Sequence, residues 1–72
     1  MPIDPHTLHG SKWTAVTPQQ PEKHFMVVKV EHDAFDTRKV LRITLEAVWT
    51  HRRCTLPWRE LMDEACWRHG WL

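Results

Sequence analysis

Two pairs of metal-ligand residues stand out in this chain: His51 with Cys54, and Cys66 with His69, each separated by two residues. Two imidazole nitrogens and two thiolates make a full tetrahedral set for a structural zinc ion. A chain of 72 residues has a small core, which a metal can supplement. Neither pair is the common Cys-x-x-Cys knuckle, however. Cys66 also falls on an apolar stripe, where a free cysteine serves as a small hydrophobe. A small zinc-stabilised domain is therefore only a minor alternative; no metal site is assigned and no cofactor is expected. His6 and His9 form a weaker pair in a segment without periodicity.

A second constellation mixes cations with flat rings: Lys12 and Trp13, Lys23 and His24, then Arg52, Arg53 and Arg59. Aromatic faces can stack bases and cations can neutralise phosphates. Lys12 and the turn at Arg52 would form one patch if the first and last strands were neighbours. The competing reading makes the tryptophans core and the charges a solvated rim. The net charge of +1, from ten basic and nine acidic residues, favours that reading, because nucleic-acid domains are commonly strongly basic. The charge is unevenly spread all the same. Residues 33–59 hold six basic and three acidic groups, and residues 60–72 hold one basic and three acidic groups.

Trp67 stands off the main apolar stripe, near Glu60, Asp63 and Glu64. A tryptophan among charges has the composition of a protein-interface anchor. The alternative is that Trp67 covers an open sheet edge. Catalysis finds little support. With Gly10 and Gly70 the only glycines, there is no glycine-rich phosphate loop. No nucleophile, base and orienting acid can be assembled.

The elements that must position these residues follow from periodicity. Ser11–Val16 alternates as a short strand, and residues 17–22, with two prolines, read as a loop. His24–Glu31 is the clearest strand, with Met26, Val28 and Val30 as its core face. After turn formers at 33–37, Lys39–Thr50 is its partner, with Leu41, Ile43, Leu45, Ala47 and Trp49 on one face. Residues 51–53 make a basic turn, and Cys54–Leu56 a last short strand. In the stretch from Leu56 to Leu72, residues Trp58, Leu61, Met62, Ala65, Cys66 and His69 share one face at helical spacing. Pro57 suits a helix start and Gly70 a helix end. A competing reading breaks this segment at Asp63, which could cap a second short helix. The expected fold is α+β: an antiparallel meander of three to four strands with one C-terminal α-helix packed on one face. Residues 1–10 read as a flexible arm and 11–72 as one small domain.

The N-terminus lacks the basic and apolar regions of a signal peptide, and two cysteines without an export signal point to a reducing cytoplasm. Five tryptophans and two phenylalanines read first as the core of a domain too small for a larger one.

The pieces SKWTAV (11–16), EKHF (22–25), LEAV (45–48), Arg52–Arg53, LPWREL (56–61), Asp63, Trp67 and GWL (70–72) resemble the small tryptophan-rich bacterial protein family. The resemblance spans nearly the whole chain and implies a bacterial cytosolic protein, without supplying an activity. Cys54 and Cys66 lie outside these motifs. The expectation is a non-catalytic accessory module that docks on a protein or ribonucleoprotein partner through Trp67 and the basic turn. The alternative is direct nucleic-acid binding through Lys12, Trp13, Arg52 and Arg53. No membrane and no small-molecule substrate are expected.

Overall fold

The computed structural model describes residues 4–19 and 22–72. It is a single antiparallel sheet of five strands, β1 (Lys12–Gln19), β2 (Glu22–His32), β3 (Val40–Ala47), β4 (Arg53–Pro57) and β5 (Trp67–His69), in the order β4-β3-β2-β1-β5. Among the described residues the only helices are two short 3-10 segments, Pro5–Thr7 and Trp58–Met62. The fold is all-β, so the α+β expectation with its C-terminal α-helix is overturned.

The reason lies in Asp63. Its carboxylate accepts the Ala65 N–H at 3.0 Å, and its carbonyl accepts both the Cys66 and Trp67 N–H groups. This local side-chain bonding competes with helix continuation. The chain therefore makes a single 3-10 turn, bends through residues 64–66 and re-extends. As β5 it pairs with β1, placing Trp13 opposite His69 and Ala15 opposite Trp67. A helix would have left that edge of β1 unpaired. The helical spacing of apolar residues has another cause. Leu61 plugs the core from above and Trp67 reaches it from the edge, so two unlike elements serve one core.

The first three hairpins lie side by side, but residues 58–66 carry the chain from one sheet edge to the other. Four inter-strand spacings of ~4.8 Å make this crossing roughly 19 Å. It passes over the apolar face, and Leu61, 2% exposed, is its buried contact. Beneath it lie Trp13, Phe25, Val27, Ile43, Leu45 and Ala47. Leu8 joins them at 2% exposure, so the segment 4–10, expected to be an arm, contributes to the core. Residues 1–3 of that expected arm lie outside the described residues, as do Gln20 and Pro21 in the expected 17–22 loop.

The core face of β2 is opposite to that expected up to Val27, and is the expected one at Val30. Phe25 and Val27 are buried, whereas Met26 and Val28 are half-buried on the other side. A bulge between Val27 and Lys29 explains the difference. One extra residue inverts the alternation, so Lys29 turns to solvent and Val30 returns to pack on the core. On β3 the strand ends at Ala47. Trp49, expected on the core face, is 75% exposed in the following turn.

The second sheet face is polar and partly covered. Residues 70–72 fold across β1 and β2 there. The Thr14 hydroxyl donates to the Gly70 carbonyl at 2.6 Å and accepts the Leu72 N–H at 3.1 Å. The Trp71 indole N–H donates to the Phe25 carbonyl at 3.0 Å. Elsewhere this face carries cross-strand pairs, Glu31 with Arg42 and Thr44 with Thr55.

Candidate functional site

The basic turn is the first region to test against the structure. Residues 48–52 link β3 to β4, closed by Ala47 N–H to Arg52 carbonyl at 2.9 Å, with His51 in the left-handed region at φ 59°. Each of its two arginines has a carboxylate partner. The Arg52 guanidinium binds both oxygens of Glu22, with Nε to Oε2 at 2.8 Å, and Thr50 donates to the same carboxylate at 2.6 Å. Arg53 Nε meets Glu46 at 2.9 Å, and His51 Nδ1 lies 3.3 Å from the other Glu46 oxygen. The Glu22 carboxylate is 9% exposed. Its hydrogen bonds from Arg52 and then Thr50 hold its pKa at about 2, well below the ordinary 4.5. Arg53 and then His51 lower Glu46 in the same way. These four charged side chains cancel, so the turn is a clamp more than a phosphate site.

The remaining candidates are dispersed. Trp13 is 2% exposed, with its indole N–H on Ser11 Oγ at 2.8 Å. Its ring cannot stack a base while β1 is folded. The Lys12 ammonium lies over the Trp71 ring at 4.8 Å, and the Arg59 guanidinium lies near the Trp58 ring at 5.4 Å. The neighbour of β1 is β5, not β4. Arg52 instead reaches Glu22 at the start of β2, whereas Lys12 lies opposite Met26 farther along the same ladder and is held over Trp71. The four zinc-type ligands are also divided. His51 and Cys54 belong to the β4 edge, and Cys66 and His69 to the β5 edge. They do not meet, and among the described residues no group of three or more such ligands occurs. Burial raises the Cys54 pKa, and the hydrogen bond to Asp63 raises that of Cys66.

Trp67 has a different setting from the one expected. It is half-buried, and its ring meets Phe25 edge-on at 5.3 Å between centroids. Its remaining surface helps line a groove of about 520 Å³ between the N-terminal segment and the 58–66 crossing. Trp13, Trp67 and His69 contribute rings, Met62 an apolar wall, and Asp4 and Glu64 a carboxylate each. The His69 ring packs on Trp13 at 4.9 Å between centroids. A groove of this volume is in the range that holds a ligand or a side chain. Met62 is 51% exposed and offers adaptable apolar surface.

Sequence reasoning missed two of these features. Met62 and His69 had been placed on a helix face, and only the turn at Asp63 separates them into two walls. The exposure of Trp49 had a legible signal. A strand running from Lys39 to Thr50 would exceed the ~10 residues that most strands reach.

No curated protein and no solved structure matches this chain. The motif residues quoted above meet one another in space: Glu22 clamps Arg52, Trp13 lies opposite Phe25, and Trp67 packs on Phe25. The family model described as "Tryptophan-rich protein (DUF2389)", a family of unknown function, matches residues 11–72, and the chain belongs to that family.

Proposed function

We propose that this chain is a non-catalytic accessory module that docks on a protein partner, alone or within a ribonucleoprotein, through the groove beside Trp67. The observation that carries this reading is the groove itself. It combines accessible indole surface, the exposed Met62, and two carboxylates with one guanidinium, Arg68, at one sheet edge. Aromatic and methionine side chains are enriched at protein interfaces. The basic turn, by contrast, spends its charge on Glu22 and Glu46. That leaves the groove as the principal contact and the turn as scaffold.

The test compares two tagged proteins side by side in nuclease-treated extract: the wild type and Met62→Glu. Met62 is half-exposed, so the substitution spares the fold while placing a charge in the groove. The reading expects a partner retained by the wild type and lost by the variant. A partner retained equally by both rules the groove out. Loss of all partners on nuclease treatment favours nucleic-acid binding instead.

A further inference from the structure

The groove runs into an unpaired strand edge. β5 bonds to β1 through Gly70 N–H to Lys12 carbonyl at 2.7 Å and Val16 N–H to Cys66 carbonyl at 2.9 Å. Bonded pairs alternate with non-bonded pairs along an antiparallel ladder. Arg68, opposite Thr14 and midway between those bonds, therefore turns its backbone groups toward β1. Trp67 and His69 turn theirs outward. The Trp67 N–H is taken by the Asp63 carbonyl at 2.9 Å. The Trp67 carbonyl, the His69 N–H and the His69 carbonyl have no partner among the described residues.

The opposite edge differs. The Ala47–Arg52 bond sets the phase of the β3–β4 ladder and leaves Arg53, Thr55 and Pro57 facing outward. Pro57 has no N–H to give at one end of β4, and Arg53, paired with Glu46, sets charged groups at the other. Proline and charge are the devices by which edges resist strand pairing. β5 has no proline, and its one charged residue, Arg68, lines the groove beside Glu64 while its backbone groups bond to β1.

We propose that the outer edge of β5 accepts an extended peptide segment of the partner as a sixth strand. One apolar side chain of that segment enters the groove against Trp67 and Met62. This inference rests on the docking reading above and specifies how the partner is held. The peptide would donate to the Trp67 and His69 carbonyls and accept the His69 N–H. Strand addition draws affinity from the main chain and specificity from side-chain pockets. Asp4 and Glu64 outnumber Arg68 in the groove lining, which favours a basic residue beside the apolar one.

The test follows amide hydrogen exchange in the full chain. The probes are a seven-residue peptide of alternating valine and threonine with a lysine at each end, the same peptide with glutamates at the ends, and the lysine peptide N-methylated at every second amide. At ~1 mM peptide, a concentration suited to weak main-chain recognition, the lysine peptide should slow exchange of the His69 amide about tenfold or more. Arg68, already bonded to β1, should change little. The glutamate peptide should act more weakly and the methylated one not at all. Equal effects of the methylated peptide, or no effect of any peptide on His69, overturn strand addition. So does a His69 amide already protected without peptide, whether at all concentrations or only at high ones, where a second copy would be the cover. The Met62→Glu comparison remains independent. A partner lost by that variant without protection of His69 keeps the docking site and removes only the added strand.

Discussion

The hydroxyl of Thr14 and the carbonyl of Gly70, fifty-six residues apart in sequence, are joined by a 2.6 Å hydrogen bond on the polar face of the sheet. The same hydroxyl accepts the Leu72 N–H, so one side chain fixes both ends of a three-residue loop. Thr14 is 4% exposed beneath that loop. Thr14→Val keeps the shape and leaves two backbone groups without a partner. Such a loss costs about 1–3 kcal/mol, which urea denaturation would read as a lower midpoint at unchanged slope. Trp71 fluorescence should also report a looser loop, since its indole N–H depends on the same placement.

Glu22 makes stability depend on acid. Its folded pKa, about 2, lies below its ordinary 4.5. A depressed folded value means that its contribution is present above pH 4.5 and is lost as pH falls from there toward 2. Glu31, Asp33 and Glu46 are lowered too, by Arg42, by backbone N–H groups and by Arg53, and they act in the same direction. Glu22→Gln should therefore be less stable than wild type at neutral pH and should lose less on acidification. Urea midpoints measured from pH 7 to pH 2 test this. Parallel curves for the two proteins would mean that the Arg52 clamp contributes nothing.

The strands of this fold were largely legible, and the last third of the chain was not. Strong alternation in residues 24–31 and 41–47 reflects strands with one buried face, which is why β2 and β3 fall where the pattern places them. The choice of face failed on β2 because a single bulge after Val27 reverses the alternation, and a bulge leaves no compositional mark there. The C-terminal stretch misled for a different reason. Trp58, Leu61, Ala65 and His69 mimic a helical face, yet Leu61 descends onto the core from a 3-10 turn and His69 sits in a strand. Local spacing cannot tell one helix from two short elements that a long-range pairing with β1 brings together. Of the candidate site, Trp67 was visible as an unusual residue. Its groove was not, because the walls come from segments 4–8, 61–64 and 67–69, which only the tertiary fold unites.

The two tryptophans at the extremes of exposure should behave oppositely. Trp13 is 2% exposed and Trp49 75%. Trp13→Ala removes a buried ring from the centre of the core, a change that costs about 3–5 kcal/mol and would unfold much of a domain this small. Trp49→Ala should stay within about 0.5 kcal/mol of wild type, as surface changes commonly do. In native protein, acrylamide should quench mainly the emission that Trp49→Phe removes. Quenching that survives that variant undiminished would contradict the exposed turn.

Both thiols should be slow nucleophiles near neutral pH. Burial raises Cys54, and the Asp63 carboxylate, 3.5 Å from the Cys66 sulfur, raises Cys66 above the ordinary 9.0. Thiolate is the reactive form. Asp63→Asn should therefore speed alkylation of Cys66 by iodoacetamide and leave Cys54 unchanged, as peptide mapping after a timed quench would show. An unchanged Cys66 rate would remove the contact with Asp63.

The pairing of β5 with β1 underlies both the groove and its open edge, and nuclear Overhauser contacts between backbone α-protons test it most directly. Non-bonded antiparallel partners bring their α-carbons within about 4.5 Å. Strong α-proton contacts are therefore expected between Trp13 and His69 and between Ala15 and Trp67. Their absence, with a run of contacts between residues three apart from Trp58 through His69, would mean a helix in this segment. The edge strand, the groove and the docking site built on them would then fall together.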